Sequence, residues 1–389
     1  MDGDLVVETG ACVETDGKLG VTGGIRCTGP VEFDGSVACA RFRSDDGDVT
    51  VRGDLIVAET VVGRDSSLEI SGRLEARSVD VDRRLQVSGP ATAAEFDIGG
   101  VLEGGSSLTA DRVSVGGKFK LAGKLTAGSV ETGGSIEVGE VELQTLQVGG
   151  MATVAGGVVR GAIEAGGRFR ATGALTYGSI EVGGVAELGA GSRGGDVEVG
   201  GKLSTQGDLT FGSLEVGGIG SIQGNGGGKE VEVGGSLEVQ GSLRLTEDAE
   251  VGGSVVVGDR FEGRGLEVGG RLEARRAVFT GTVEVGGEVS TRDGLKGARV
   301  ELGRKAHASG PLVGEEVEVG RKAQVEDVYG NSVLLADGVV ARKVVAGRLR
   351  VHDDVSAEEI VYSDTIEVGR DLRSRSAPRK VDRLEEFPL

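Results

Sequence analysis

Few residues in this chain could do chemistry, and they are spread too thinly to do it together. There are two histidines, His307 and His352, in different slots of a sequence repeat and far apart along it, so shared general-base or metal work is not expected of them. The three cysteines, Cys12, Cys27 and Cys39, lack the Cys-x-x-Cys spacing of a thiolate metal site or redox pair and read as small buried hydrophobes. Cys12 and Cys27 stand slightly closer together than one repeat, so stacking them would need a shortened turn. No Gly-x-Ser-x-Gly nucleophile motif occurs, and Gly228-Lys229 is followed by Glu230 where a phosphate loop requires Ser or Thr. The calcium-binding nonapeptide repeat is absent as well. No catalytic, cofactor or metal residue is therefore expected, and the chain does not read as an enzyme.

Carboxylates are the exception. Glutamate recurs two residues before a Gly-Gly-like mark at Glu164, Glu181, Glu198, Glu215, Glu232, Glu250, Glu267, Glu284, Glu301 and Glu318, and the same slot holds Glu131 and Gln147 earlier in the chain. Such a series could be a solvated face that keeps a protein soluble, or a ladder for cations or lateral contacts. Stacked at ~5 Å, neighbouring carboxylates repel by about 0.8 kcal/mol in water before screening. Relief is expected from Lys118, Arg168, Lys202, Arg271, Lys305 and Lys322, which follow the mark.

The elements that hold this series follow from its period. The first glycine of the mark falls at Gly99, Gly116, Gly133, Gly149, Gly166, Gly183, Gly200, Gly217, Gly234, Gly252, Gly269, Gly286, Gly303 and Gly320, so the spacing is almost constant along this stretch. Aliphatic-x-aliphatic pairs precede the mark (Val197 and Val199, Val231 and Val233). A second inward slot follows it (Leu203, Leu237, Leu272), and a third strand lies beyond another Gly-rich corner (Leu209, Leu243, Leu312). Alternation with period two is β, and no stretch keeps a helical period. Three strands and three corners return the chain to its start, so like positions stack ~4.8 Å apart with parallel pairing. Glycine suits the corners because it accepts positive φ and lets stacked backbones approach. The expected fold is an all-β, single-stranded β-solenoid, a right-handed parallel β-helix of triangular cross-section with ~17 residues per coil. Its ~22 coils would stand on the order of 100 Å tall. Residues 1–80 read as less regular coils, residues 81–372 as the regular solenoid, and residues 373–389 as an Arg-rich tail. The run Gly224–Gly228 lacks a third-strand aliphatic, so a soft coil is expected there.

Composition limits the partners. With 62 acidic against 43 basic residues the net charge is −19, which argues against nucleic acid as a ligand. Only 3% of residues are aromatic and insertions are rare, so the loops and stacking rings of a polysaccharide-cleaving β-helix are missing, and that activity is a remote alternative. The odd cysteine count and the lack of a signal-peptide pattern fit a cytoplasmic protein.

Coils of this period with corners such as Val233-Gly234-Gly235-Ser236-Leu237 and Val251-Gly252-Gly253-Ser254-Val255 resemble those of the bactofilins and their archaeal relatives. The resemblance spans roughly residues 50–372. It implies a polymer-forming cytoskeletal protein that assembles end to end without nucleotide or other cofactor. Such filaments influence cell shape or position other structural proteins. The chain departs from bactofilins in the length of its core and in entering strand-like sequence at once, at Asp4-Leu5-Val6-Val7.

Solenoid physics points the same way, because each end exposes unpaired strand edges unless something covers them. Leu384, Phe387 and Leu389 are expected to fold over the last coil as a cap, which leaves either N-terminal ends that meet one another or a rod with one closed end. The expected partner is thus a second copy, with no small-molecule substrate, and the basic tail leaves contact with a membrane open. The alternative is a rod that does not polymerise and binds partner proteins through one face or the tail.

Overall fold

The computed structural model describes residues 1–14 and 16–388, and among these every regular element is a β-strand. Among the described residues no helix is long and apolar enough to cross a membrane. Many strands are short because a corner interrupts the alternation, while others, such as Ser135–Val148 and Glu288–Leu302, run on through one. Val231, Val233, Leu237, Val239, Leu243 and Leu245 point inward and are buried, while Glu232, Glu238 and Arg244 between them are exposed. The chain forms two compact units, Met1–Gly195 and Asp196–Leu389. Each is a parallel β-solenoid of about 17 residues per turn, and the turns number about 22 in all.

Each turn has three faces. The first carries the strand before the glycine mark, the second the strand after it, and the third the strand beyond the next corner. In the second unit, Val197, Leu214, Val231, Ala249, Leu266, Val283 and Val300 pair in series up the first face. Leu203, Gly220, Leu237, Val255, Leu272 and Val289 do so on the second. In the first unit the first face runs Val79, Phe96, Val113, Val130, Leu146, Ile163 and Ile180. Like stacks on like, and every core residue touches mainly the turns next to it.

Most of the opening turns are larger. On the first face the pairs Leu5 with Ile25, Phe42 with Val61 and Val61 with Val79 are all wider than the regular spacing, which Ile25 with Phe42 and Val79 with Phe96 keep. Cys27 accordingly stacks on Val7, and Cys12 pairs with Glu32.

At the mark only one of the two expected reasons for corner glycine holds, although Gly156 and Gly310 at the next corner do take positive φ. None of the mark glycines has positive φ. What excludes a side chain is the neighbouring turn: a Cβ on Gly116 would sit 2.2 Å from the Gly99 carbonyl oxygen, and one on Gly234 would sit 2.5 Å from that of Gly217. Left-handed backbone appears instead where the second glycine of the mark is lost, at Lys305, Lys322, Asp354 and Asp371, all with φ of 58–59°.

The glycine run at 224–228 is not an empty coil. Gly228 stacks beside Phe211 of the turn before, whose ring would lie 2.2 Å from an added Cβ, and Tyr177 fills the space over Gly194 in the same way. A missing side chain in one turn is filled by a ring from the turn before.

Candidate functional site

The acidic series forms a vertical file in each unit. In the first unit Glu131, Gln147, Glu164 and Glu181 pair in register, and the Gln147 amide donates to Glu164 at 3.0 Å. A shallow groove runs beside them, lined by the file itself and by Gly133, Gly149 and Gly166 of the stacked corners. In the second unit Glu198, Glu215, Glu232, Glu250, Glu267, Glu284, Glu301 and Glu318 are successive register partners. The file is then replaced by Leu334, Arg350 and Glu367.

Charge relief does not come from the residues after the mark. Arg271 bonds Glu273 and Glu288 on its own face, at 3.7 and 3.4 Å. At the top of the file it is Arg299, two residues before Glu301 on the same strand, that reaches Glu301 and also Glu318 at 3.5 Å. Among the described residues no three His, Cys, Asp or Glu side chains converge as a metal site. His307 is exposed on the second face, and His352 sits at a corner with Nδ1 3.6 Å from Asp337. Cys12 is exposed. Cys27 and Cys39 are buried free thiols, and burial pushes them up to about 12 and about 11, so both stay protonated and unreactive.

The two ends of the chain are built differently. At the N-terminal end the strands Leu5–Glu8, Ala11–Val13 and Lys18–Gly20 each pair with one following strand; among the described residues no strand pairs with their outer edges, and the Met1 ammonium donates to the Gly20 carbonyl at 2.8 Å. Leu5, Ala11, Val13 and Leu19 are left half-buried where an interior turn would bury them.

At the C-terminal end the tail adds strands to the last turn. Arg373–Ser374 pairs with Ser356–Ala357, and Arg379–Lys380 with Val361–Tyr362. Asp353 anchors the start of this addition, accepting the Arg370 N–H at 2.7 Å and its guanidinium at 3.1 Å. Those contacts, the backbone N–H foremost, hold the Asp353 carboxyl below its ordinary range. A carboxyl with a lower pKa folded than unfolded stabilises the fold above its unfolded value of about 3.8, and that contribution is lost as pH falls through the folded value. Acidification below pH 3.8 is therefore expected to free the tail. Hydrogen exchange at the Arg370 amide should accelerate in Asp353→Asn at neutral pH and in the unaltered protein only in acid. Equal protection in Asp353→Asn at neutral pH would remove the anchor.

Beyond Lys380 the chain does not fold over the last turn. Phe387 lies back along the flank against Tyr329, ring centroids 6.0 Å apart, two turns in from Val361. Tyr329 belongs to an outward file on the third face with Val313, Val345 and Val361. These three valines follow the core residues Leu312, Val344 and Ile360 and so face away from the core, yet only 3%, 8% and 6% of their surface is accessible. Sequence reasoning missed this apolar outer stripe; two adjacent aliphatics per third strand (Leu312-Val313, Val344-Val345, Ile360-Val361) were the available signal. Of the expected cap residues, Leu384 and Phe387 are half-buried and Leu389 lies outside the described residues.

The fold places the chain in the class of parallel β-solenoid repeat proteins. Searches for similarity find no matching family model, no matching curated protein and no matching solved structure.

Proposed function

We propose that this protein is a structural scaffold that polymerises end-on, each copy adding its turns to the parallel ladder of the next, with no cofactor. The observation that carries this reading is the first turn. Leu5–Glu8, Ala11–Val13 and Lys18–Gly20 offer edges that no strand covers, with only the Gly20 carbonyl taken by the Met1 ammonium, around a half-buried apolar centre. An open parallel edge with stacked aliphatics is a template for another strand of the same register. The bactofilin-like coils agree with a cytoskeletal role, and the acidic files fit surfaces that keep such assemblies from bundling, or that bundle when cations bridge them.

Negative-stain electron microscopy and sedimentation of the purified chain from low to high salt test the proposal. Filaments or end-joined particles are expected, lost when residues 1–20 are deleted. Monodisperse particles at every salt concentration and at high protein concentration would refute it. They would favour the second reading, a scaffold that binds partner proteins through a face. The stripe under Phe387 supports that reading, because displacing the strap would expose Tyr329 and its aliphatic neighbours.

A further inference from the structure

We infer that assembly is head-to-tail: the basic C-terminal turn of one copy seats on the acidic N-terminal turn of a second copy, giving the polymer a direction. The inference rests on the end-on reading above and names its partner surfaces.

Strand order comes first. At the C-terminal end the last first-face strand is Thr365–Val368, paired on one side only with Arg348–Val351. The tail then supplies Arg373–Ser374 on the second face and Arg379–Lys380 on the third. The next strand in that order is a first-face strand. The chain's opening strand is one: Leu5 heads the file Ile25, Phe42, Val61, Val79, Phe96 and Val113 that leads to the first-face Val130. It is followed by Ala11–Val13 on the second face and Lys18–Gly20 on the third, where the Met1 ammonium has to leave the Gly20 carbonyl for a strand to seat. A second copy thus continues the winding without skipping a face. Leu5 falls on Ile366, Val7 on Val368, Ala11 on Ser374 and Leu19 on Pro378. Val368, in an inward file but 47% exposed, gains the neighbour that each interior valine of its file already has.

The strap leaves this end open. Because Phe387 runs back along the flank to Tyr329, residues after Lys380 do not lie across the Thr365–Val368 edge.

Charge selects the pairing. Residues 1–20 carry five acidic side chains (Asp2, Asp4, Glu8, Glu14, Asp16) against Lys18 alone. Residues 369–383 carry six basic ones (Arg370, Arg373, Arg375, Arg379, Lys380, Arg383) against Asp371 and Asp382. Head-to-tail contact puts opposite signs together. Two N-terminal ends facing each other would press acid on acid and would also reverse strand direction, so the sequence-based expectation of N-terminal ends meeting is replaced. A heterologous contact of this kind does not close on itself and grows as an open polymer.

Cys12 is the probe. It is exposed on the second face, where the stacking above sets it over Arg375. Neighbouring parallel strands lie ~4.8 Å apart, within disulfide range. Full-length Arg375→Cys, mildly oxidised in low salt, is expected to give a ladder of multimers joined through Cys12 and the introduced thiol, as mapped by mass spectrometry. The unaltered protein should give no disulfide dimer. A second variant, Arg379→Glu with Lys380→Glu, uses no cysteine and should sediment as monomer in low salt. Cys12–Cys12 dimers, or dimers persisting in that charge reversal, would overturn the head-to-tail inference while leaving end-on assembly standing. Filaments that never cross-link in Arg375→Cys would overturn it too. Absence of any assembly in the unaltered protein would end both readings.

Discussion

Gly234→Ala is expected to destabilise the protein by about 3 kcal/mol, whereas Gly227→Ala, a short way earlier in the chain, is expected to change stability by less than about 1 kcal/mol. The two substitutions add the same methyl group. At Gly234 it would sit 2.5 Å from the backbone carbonyl oxygen of Gly217 and 3.4 Å from its carbonyl carbon, and no flexible side chain can move aside. The corner must shift, and with it the register that holds Val231 and Val233 under their neighbours. At Gly227 no atom lies within 4 Å and φ is not positive, so alanine only restricts the unfolded chain. Urea unfolding and amide exchange over residues 214–251 measure the difference. A solenoid is a sum of nearest-neighbour interfaces, so the loss should concentrate in the turns adjoining Gly234. Equal midpoints for the two variants would show that close stacking of the corners is not why glycine stands there.

Phe261→Ala should cost about 3–5 kcal/mol. The ring is fully buried between Leu243 and Ala277 and meets Phe279 edge-on, with centroids 5.0 Å apart and planes at 80°. Removing the ring leaves a cavity beside Phe279 that close-packed neighbours fill only in part. Phe387→Ala is the counterpart: its ring is only half-buried on the flank, so global stability should fall by less than about 1 kcal/mol. The strap residues 381–388 should then lose exchange protection and yield sooner to protease. If Phe387→Ala matched Phe261→Ala in cost, the strap would have to be counted with the core.

Much of the fold was legible because a solenoid makes near neighbours in space out of residues one period apart. Val199, Val216 and Val233 recur in the sequence and stack in the structure for the same reason. The glutamate series was legible too, since an outward slot between two inward valines has one place to go. Less legible was whatever depended on how far one turn rests on another. Glycine at 228 looks like an absence in the sequence and is the seat of Phe211 in the fold. Arg271 looks like the partner of the glutamate file, but its guanidinium reaches along its own face.

By itself the sequence determined the period, the three strands of a turn, the buried aliphatic files and the acidic slot, because alternation and repetition are local properties written afresh in each repeat. Only the tertiary structure decided which carbonyl bars a side chain at each corner and that the tail pairs with the last turn before folding back on Tyr329. It also decided which strand each end presents. Those outcomes depend on distances between backbone atoms of different turns and on where a non-repeating segment finds apolar surface, and no periodicity encodes either.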